Sequence, residues 1–249
     1  MVDEISMITE HFLKFFITLK RIRPDIIFIM VGDFNQLKPV CDRIENCDYA
    51  NSAALHELVD GNRLTLSTCR RSDDILYKLC LPENIASVKK SDFRSKKTLI
   101  NICFTNMMRK KVNSEKMIEA VEANKKGLKQ KVLHLKKLSY DDNSQDVSIM
   151  KGTPIIARIT TADFANNETF VIKKVADDII IISDGHATME IPTEQFQRCF
   201  RVGYCITTYA AQGSTFSELY TIYEWDRYDL TMKYVALSRS TKKELINMI

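Results

Sequence analysis

The stretch IIFIMVGDFNQLKPV, residues 26–40, decides how the rest of the chain is read. Ile26, Ile27, Phe28, Ile29, Met30 and Val31 form an unbroken apolar run rich in β-branched side chains. A run this short and continuous predicts a strand covered on both faces, as in a parallel sheet. Gly32 breaks the strand and Asp33 sits at its carboxyl end, the end at which open α/β sheets bind ligands. Gln36 follows, before Leu37 and Pro39 stiffen the exit. A strand that delivers Gly-Asp and then a Gln to a sheet edge suits a phosphate or metal site; the same residues also read as a plain core strand with a polar turn.

The bulk properties bound the classes. A chain of 249 residues holds one large domain or two small ones. Its 45% hydrophobic and 27% charged residues are ordinary for a soluble globular protein. No apolar run approaches the roughly 20 residues of a membrane helix, so no membrane association is expected. The N-terminus, MVDEIS, is acidic early and is not a secretory signal. Seven cysteines without a C-x-x-C pair predict reduced thiols, no zinc site and an intracellular protein, nuclear or cytoplasmic rather than secreted. A net charge of +4 permits nucleic-acid binding without arguing for it.

Upstream of the opening stretch, Asp3 and Glu4 follow Val2 as paired carboxylates do at the end of a nucleotide-hydrolase strand, where one holds the magnesium shell and the next polarises water. The same pair also reads as a helix N-cap region. Over residues 8–22, Ile8, Phe12, Phe15, Phe16, Leu19 and Ile22 fall at helical spacing and predict one buried face. Lys20, Arg21 and Arg23 load its carboxyl end, and Pro24 stops it.

Downstream, a short helix is expected over 52–59, stopped by Gly61, and an alternating strand over 63–67. Arg70 and Arg71 then precede a helix start, placed to grip an anion or to pair with Asp73 and Asp74 as a solvated turn. Residues 98–104 read as a strand, with Thr105 and Asn106 between it and a helix over 107–124 whose Val112, Met117, Ile118 and Val121 face inward. Small polar residues there contact phosphate or merely cap the helix. The lysine-rich 125–138 reads as a nucleic-acid track or as a solvated edge strand. From 152 to 200 the pattern becomes short strands, 153–159, 169–175, 178–183 and 187–191, with a hairpin at Asp184-Gly185. That predicts a small β-barrel or curled sheet inserted in an α/β frame. The frame resumes with a strand and short helix over 204–215, a strand over 219–223, a helix over 231–238 and a closing strand over 244–249.

In order, VDEISM, VGDFNQLKPV, LTLSTCRRSDD, ICFTNMMRKKVN, KGTPIIARI, ITTYAAQGSTF and YVALSRST resemble the motif series of the superfamily 1 helicases, most of all the Pif-type and RecD-type 5′→3′ DNA helicases. The resemblance spans nearly the whole chain, and GDFNQLKPV and YVALSR are its most specific parts. It implies an α/β fold with a partial first RecA-like lobe over 1–66. A complete second lobe would take 67–146 and 201–249, with the inserted β-barrel-like unit over 147–200. It also implies ATP and magnesium as nucleotide and cofactor, single-stranded DNA as partner, and work in DNA replication, repair or recombination. By matching position, Asp3 would hold the magnesium, Glu4 would be the general base, and Gln36 would sense the γ-phosphate. Arg70 and Arg239 would reach that phosphate from the second lobe. Asp33 and Gly213 fall among the nucleotide-contacting positions. Thr105, Asn106, Thr207, Tyr209 and Gln212 match positions near the DNA backbone.

The sequence departs from the pattern at Tyr209-Ala210, where the family carries His-Lys, so that a DNA contact is weakened or Tyr209 stacks on a base instead. Lys38 replaces a second proline, and Arg71 a glutamine. No G-x-x-x-x-G-K-[ST] occurs. The phosphate cradle is expected ahead of Asp3, on an N-terminal P-loop segment or a separate chain. A nucleic-acid-binding or partner-binding remnant that has lost catalysis is the alternative expectation.

Overall fold

The computed structural model describes residues 1–39 and 48–249. Val40, at the end of the opening stretch, and Cys41 and Cys47 lie outside them. The helices are α1 (Glu10–Ile22), α2 (Ala53–Leu58), α3 (Asp74–Cys80), α4 (Pro82–Ile85), α5 (Asn106–Lys126), α6 (Phe196–Cys199) and α7 (Leu230–Ser238). The strands are β1 (Ile100–Cys103), β2 (Leu133–Leu135), β3 (Val147–Ile149), β4 (Pro154–Ala157), β5 (Thr169–Val175), β6 (Ile179–Ser183), β7 (Thr188–Pro192), β8 (Phe200–Val202), β9 (Cys205–Thr207), β10 (Tyr220–Ile222) and β11 (Ile246–Met248). By packing, they fall into two compact units. The first takes residues 1–88, 213–215 and 228–243; the second takes 89–212, 216–227 and 244–249. These limits cut across the ranges expected from the motif order.

In the first unit α1 packs on α2 through Leu13 and Ile17, with Tyr49 and Leu58 closing the cluster. Lys20 anchors the contact by donating to the Leu58 carbonyl (2.9 Å) and the Asp60 carboxylate (2.6 Å) at the end of α2. The buried face of α1 matches the expected one only in part: Ile8 and Phe16 pack against this cluster, but its centre is Leu13 and Ile17. Phe12, Phe15 and Ile22 are exposed, because the helix is apolar on two sides and among the described residues only the Leu13–Ile17 side meets partners.

The decisive stretch also differs from expectation. Residues 26–31 form no strand beyond one parallel bridge, Val2 with Met30. Phe28 and Met30 pack on the α1 cluster, while Ile27 is 85% and Ile29 56% exposed. The side chains alternate as in a strand, but one face only is covered. Residues 63–67, expected as a strand, are irregular as well, and Leu64 and Leu66 are exposed. Both departures have one physical cause: a strand needs a neighbour on its hydrogen-bonding edge, and the described residues provide one only at Val2.

The second unit carries the expected α/β pattern. A parallel sheet runs β11-β10-β1-β9. Its strands are continuous buried runs, with Ile102, Cys103, Cys205, Tyr220 and Ile222 fully covered. α5 lies against it, held by Asn113. That buried amide donates to the Cys205 carbonyl (3.0 Å) and accepts from the Cys205 amide (2.8 Å), clamping the start of β9. Val112 and Met117 face inward as expected, but Ile118 is 59% exposed. The inserted β unit is a five-stranded antiparallel sheet in the order β7-β6-β5-β4-β8. Its core is a knot of rings in which Phe164 and Phe170 close on Phe200 at centroid distances of 4.8 and 5.7 Å. Gly185 turns the β6–β7 hairpin at φ 105°, and the Asp184 carboxylate accepts from His186 and Ala187.

Candidate functional site

Within the first unit, residues scattered along the sequence converge at the exit of the decisive stretch. Asp33 opens a turn: its carboxylate accepts from the Asn35 amide (2.9 Å) and its carbonyl from the Gln36 amide (3.0 Å). The turn aims Gln36 at Arg239. This guanidinium is 1% exposed and donates to Gln36 Oε1 (3.4 Å), the Ser214 carbonyl (3.3 Å), the Val235 carbonyl (3.2 Å) and Ser238 Oγ (3.2 Å). Gly213, beside Ser214, turns the chain at φ 80°. The other carboxylate oxygen of Asp33 accepts from the Tyr234 hydroxyl at 2.5 Å. Burial, and next the neighbouring Asp33 carboxylate, hold the Tyr234 phenol well above its ordinary range, so it stays a donor. α7 carries Tyr234 at its middle and is C-capped by Arg239; its start is fixed by Asp229, whose carboxylate accepts from the Met232 amide.

Asp3 and Glu4 approach the same turn. Ile5 N–H donates to the Val31 carbonyl at 3.1 Å, and Glu4 adopts a left-handed conformation (φ 52°) rare for a residue with a Cβ. A Cβ on Gly32 would stand 2.7 Å from the Ile5 nitrogen, so only glycine lets the Asp3-Glu4 segment pass this close. Asp3 accepts from the Glu4 amide (2.8 Å) and is otherwise exposed. Among the described residues no cluster of three or more His, Cys, Asp or Glu could cage a metal. A single exposed carboxylate nevertheless fits magnesium, which is commonly held by one or two carboxylates together with substrate phosphates and water.

The two candidate arginines part company. Arg239 is the buried centre of the network. Arg70 lies on exposed irregular chain before α3 and makes no hydrogen bond or ion pair with the described residues. Arg71 beside it reaches the Ser238 carbonyl (3.4 Å), and Asp73 caps α3 through the Leu76 amide (2.7 Å). Both arginines fall in the same packing unit as Asp3, Asp33 and Gln36.

The expected nucleic-acid residues all fall in the second unit. Thr105 caps α5: its hydroxyl accepts from the Met108 amide (3.1 Å) and donates to Glu224 (3.0 Å). Glu224 also takes the Phe104 and Thr105 amides, pinning the strand-to-helix turn. Asn106 is exposed, with its carbonyl oxygen held by Arg109 Nε at 2.9 Å. Thr207 ends β9 and steadies the next turn through the Ala210 and Ala211 amides. That segment is a run of turns rather than the expected short helix; it holds Tyr209, 41% exposed, and Gln212. Tyr234, Asn113 and Glu224 escaped the sequence reading. Tyr234 alone had a signal, its place inside YVALSR.

No protein-family model and no curated protein sequence matches the chain. Solved structures do. The Pif1 helicase from Candida albicans superposes with TM-score 0.68 at 16% identity, over 99% of this chain and 71% of that one. Bacteroides Pif1 bound to single-stranded DNA gives 0.65 at 17%, over 99% and 69%. Pif1 from Bacteroides in complex with ADP-AlF3 and single-stranded DNA gives 0.61 at 17%, with the same shares. The chain has the fold of Pif1 helicases, over about two thirds of their length.

Proposed function

We propose that this chain is the part of an ATP-dependent, 5′→3′ translocating DNA helicase that carries the water-activating acids and an opposing arginine, and that its phosphate cradle comes from outside these 249 residues. The observation that carries the reading is the contact of Arg239 with Gln36, two motif residues 203 positions apart, beside Asp33 and Tyr234. Such a network has a clear use in phosphoryl transfer. Negative charge spreads over the equatorial oxygens of the transferred group, and a fixed guanidinium there is worth on the order of 10³ to 10⁵ in rate.

In this reading Asp3 would hold magnesium, which neutralises charge on the phosphates of ATP when bound. Glu4 orients and deprotonates the attacking water. Gln36 passes the state of the γ-phosphate to Arg239. Arg70, exposed and uncommitted among the described residues, reaches the same phosphate group once the nucleotide is present. Asp33 and Gly213 shape the pocket: one anchors Tyr234, the other bends the Ser214 carbonyl toward Arg239. Thr105, Asn106, Thr207, Tyr209 and Gln212 form the DNA side, with Tyr209 as a stacking platform.

The chain by itself is expected to show negligible ATPase activity. Co-expression with a P-loop-bearing segment should restore hydrolysis stimulated by single-stranded DNA, and Glu4→Gln should abolish it. Robust hydrolysis by the isolated chain, or restored hydrolysis that survives Glu4→Gln, would overturn the assignment.

A further inference from the structure

Three arginines of the second unit gather around one carboxylate. Arg109 of α5 is buried and donates to Asn106 Oδ1 (2.9 Å) and the Asn143 carbonyl (2.7 Å). Arg158, just past β4, donates to the Gln197 carbonyl (2.8 Å) and pairs with Asp141. The 141–143 turn therefore binds both. Arg201 joins them through the sheet. In the β4–β8 ladder Arg201 faces Ile156, and just beyond the ladder the Arg158 amide donates to the Cys199 carbonyl at the end of α6 (2.7 Å). Arg158 follows Ile156 by two residues, where the chain bends away at the end of β4, so Arg158 and Arg201 stand at the same end of the β4–β8 ladder.

Their partners are unequal. Arg109 and Arg158 each have two firm acceptors. Among the described residues Arg201 has a single contact at the limit of hydrogen bonding, Nη2 to Asn167 Oδ1 at 3.5 Å, and its buried Nε has no partner. Among the described residues Asp141 is the carboxylate that pairs with Arg158 and whose charge also acts on Arg109 and Arg201, so the three guanidiniums share one negative partner. Burial first, then Arg109 and Arg158, push the Arg201 guanidinium down to about 10. It stays charged at neutral pH but is held in a field that favours an anion. A forked guanidinium with unfilled donors, partly exposed and backed by two more, matches the oxygens of a phosphate group.

We propose that Arg201, backed by Arg158 and Arg109, is a phosphate-binding residue. Resting on the DNA-helicase reading, its phosphate is a backbone diester of single-stranded DNA, held near Asn106, the exposed residue that Arg109 anchors.

The test measures binding of a labelled oligothymidylate to the 249-residue chain by fluorescence anisotropy across a salt series, for wild type, Arg201→Gln and Arg201→Lys. Arg201→Gln should weaken binding about tenfold and reduce the slope of log Kd against log salt by about one. Arg201→Lys keeps the charge and should retain the slope with a smaller loss. Unchanged affinity and slope in an Arg201→Gln protein with wild-type near-UV circular dichroism overturns the proposal; if that variant misfolds, unchanged affinity in Arg201→Lys does so. Inorganic phosphate separates the sources. A thermal shift with phosphate that Arg201→Gln abolishes, with DNA affinity unaffected, overturns the diester and assigns free phosphate. A wild-type chain that binds no DNA counts against the helicase reading alone. The phosphate titration then decides Arg201: a shift lost in Arg201→Gln supports it, and no shift in wild type overturns it.

Discussion

Gly32 offers the sharpest test of how the acidic pair is held. Its Cβ would lie 2.7 Å from the Ile5 nitrogen and 2.8 Å from Ile5 Cγ1. The nitrogen is then about 0.8 Å inside the roughly 3.5 Å at which such atoms sit comfortably. The side-chain contact can be relieved by rotation. The backbone contact cannot, because the Ile5 amide is held by the Val31 carbonyl at 3.1 Å and Val2 is bridged to Met30. Gly32→Ala must therefore break that hydrogen bond or push the segment away. Overpacking costs about 1–3 kcal/mol and a lost hydrogen bond about 0.5–1.5 kcal/mol. The sum is roughly 1.5–4.5 kcal/mol, a fall of about 0.8–2.3 M in urea midpoint at a slope of about 2 kcal/mol/M. The readout should be hydrogen exchange at the Ile5 and Val31 amides, since the lone tryptophan, Trp225, belongs to the second unit and reports on it instead. A companion Ile5→Ala variant removes the Cγ1 contact and leaves the backbone one, so it should not rescue Gly32→Ala. Stability within about 0.5 kcal/mol of wild type, with both amides still protected, would refute the close-approach account.

Other expectations follow from single groups. Tyr234→Phe deletes a hydrogen bond to a carboxylate and should cost about 1.5–3 kcal/mol; a loss below about 0.5 kcal/mol in chemical denaturation would mean the 2.5 Å contact is not made in solution. The Tyr234 phenol is raised on folding, so its contribution is complete below the unfolded value of about 10 and should fade only as pH climbs toward the folded one. Asp141 works the other way. Burial raises it, but hydrogen bonds from Arg158 and the Asn143 amide and the charges of Arg158 and Arg109 outweigh that and lower it. Its contribution is present above the unfolded value of about 3.9 and lost as pH falls through the folded value, so Asp141→Asn should flatten the acid limb of the stability curve; an unchanged limb would count against the pairing. Among the cysteines, burial raises Cys69, yet the Ser72 hydroxyl, the Ser72 and Arg71 amides and the Arg71 charge bring it below its ordinary value, whereas burial drives Cys80 up to about 12. In a background with Cys41 and Cys47 replaced by serine, a thiol reagent at neutral pH should give a fast phase that Cys69→Ser removes. A fast phase that persists would point to a different thiolate.

What the sequence settled by itself were the elements whose order is local. The β5 strand, the β6–β7 hairpin, α5, α7 and the buried strands β1, β9 and β10 are legible because periodicity, turn residues and caps act over a few positions. The motif order carries the likeness to helicases for the same reason, and the fold shared with Pif1 structures agrees with it. Tertiary structure alone decided which apolar faces are covered. Phe12 and Leu13 are equally apolar, and only the arrival of Tyr49 and Leu58 buries the second. The apolar run at 26–31 looked like a doubly covered strand, yet burial belongs to neighbours, and a bridge to Val2 covers one edge only. The site divides in the same way. Asp33, Gln36 and Arg239 stand out as residues, but their meeting, and the part of Tyr234 in it, required α7 to return across some two hundred positions. A hydrogen bond is a fact about distance in space, and no spacing along the chain encodes it.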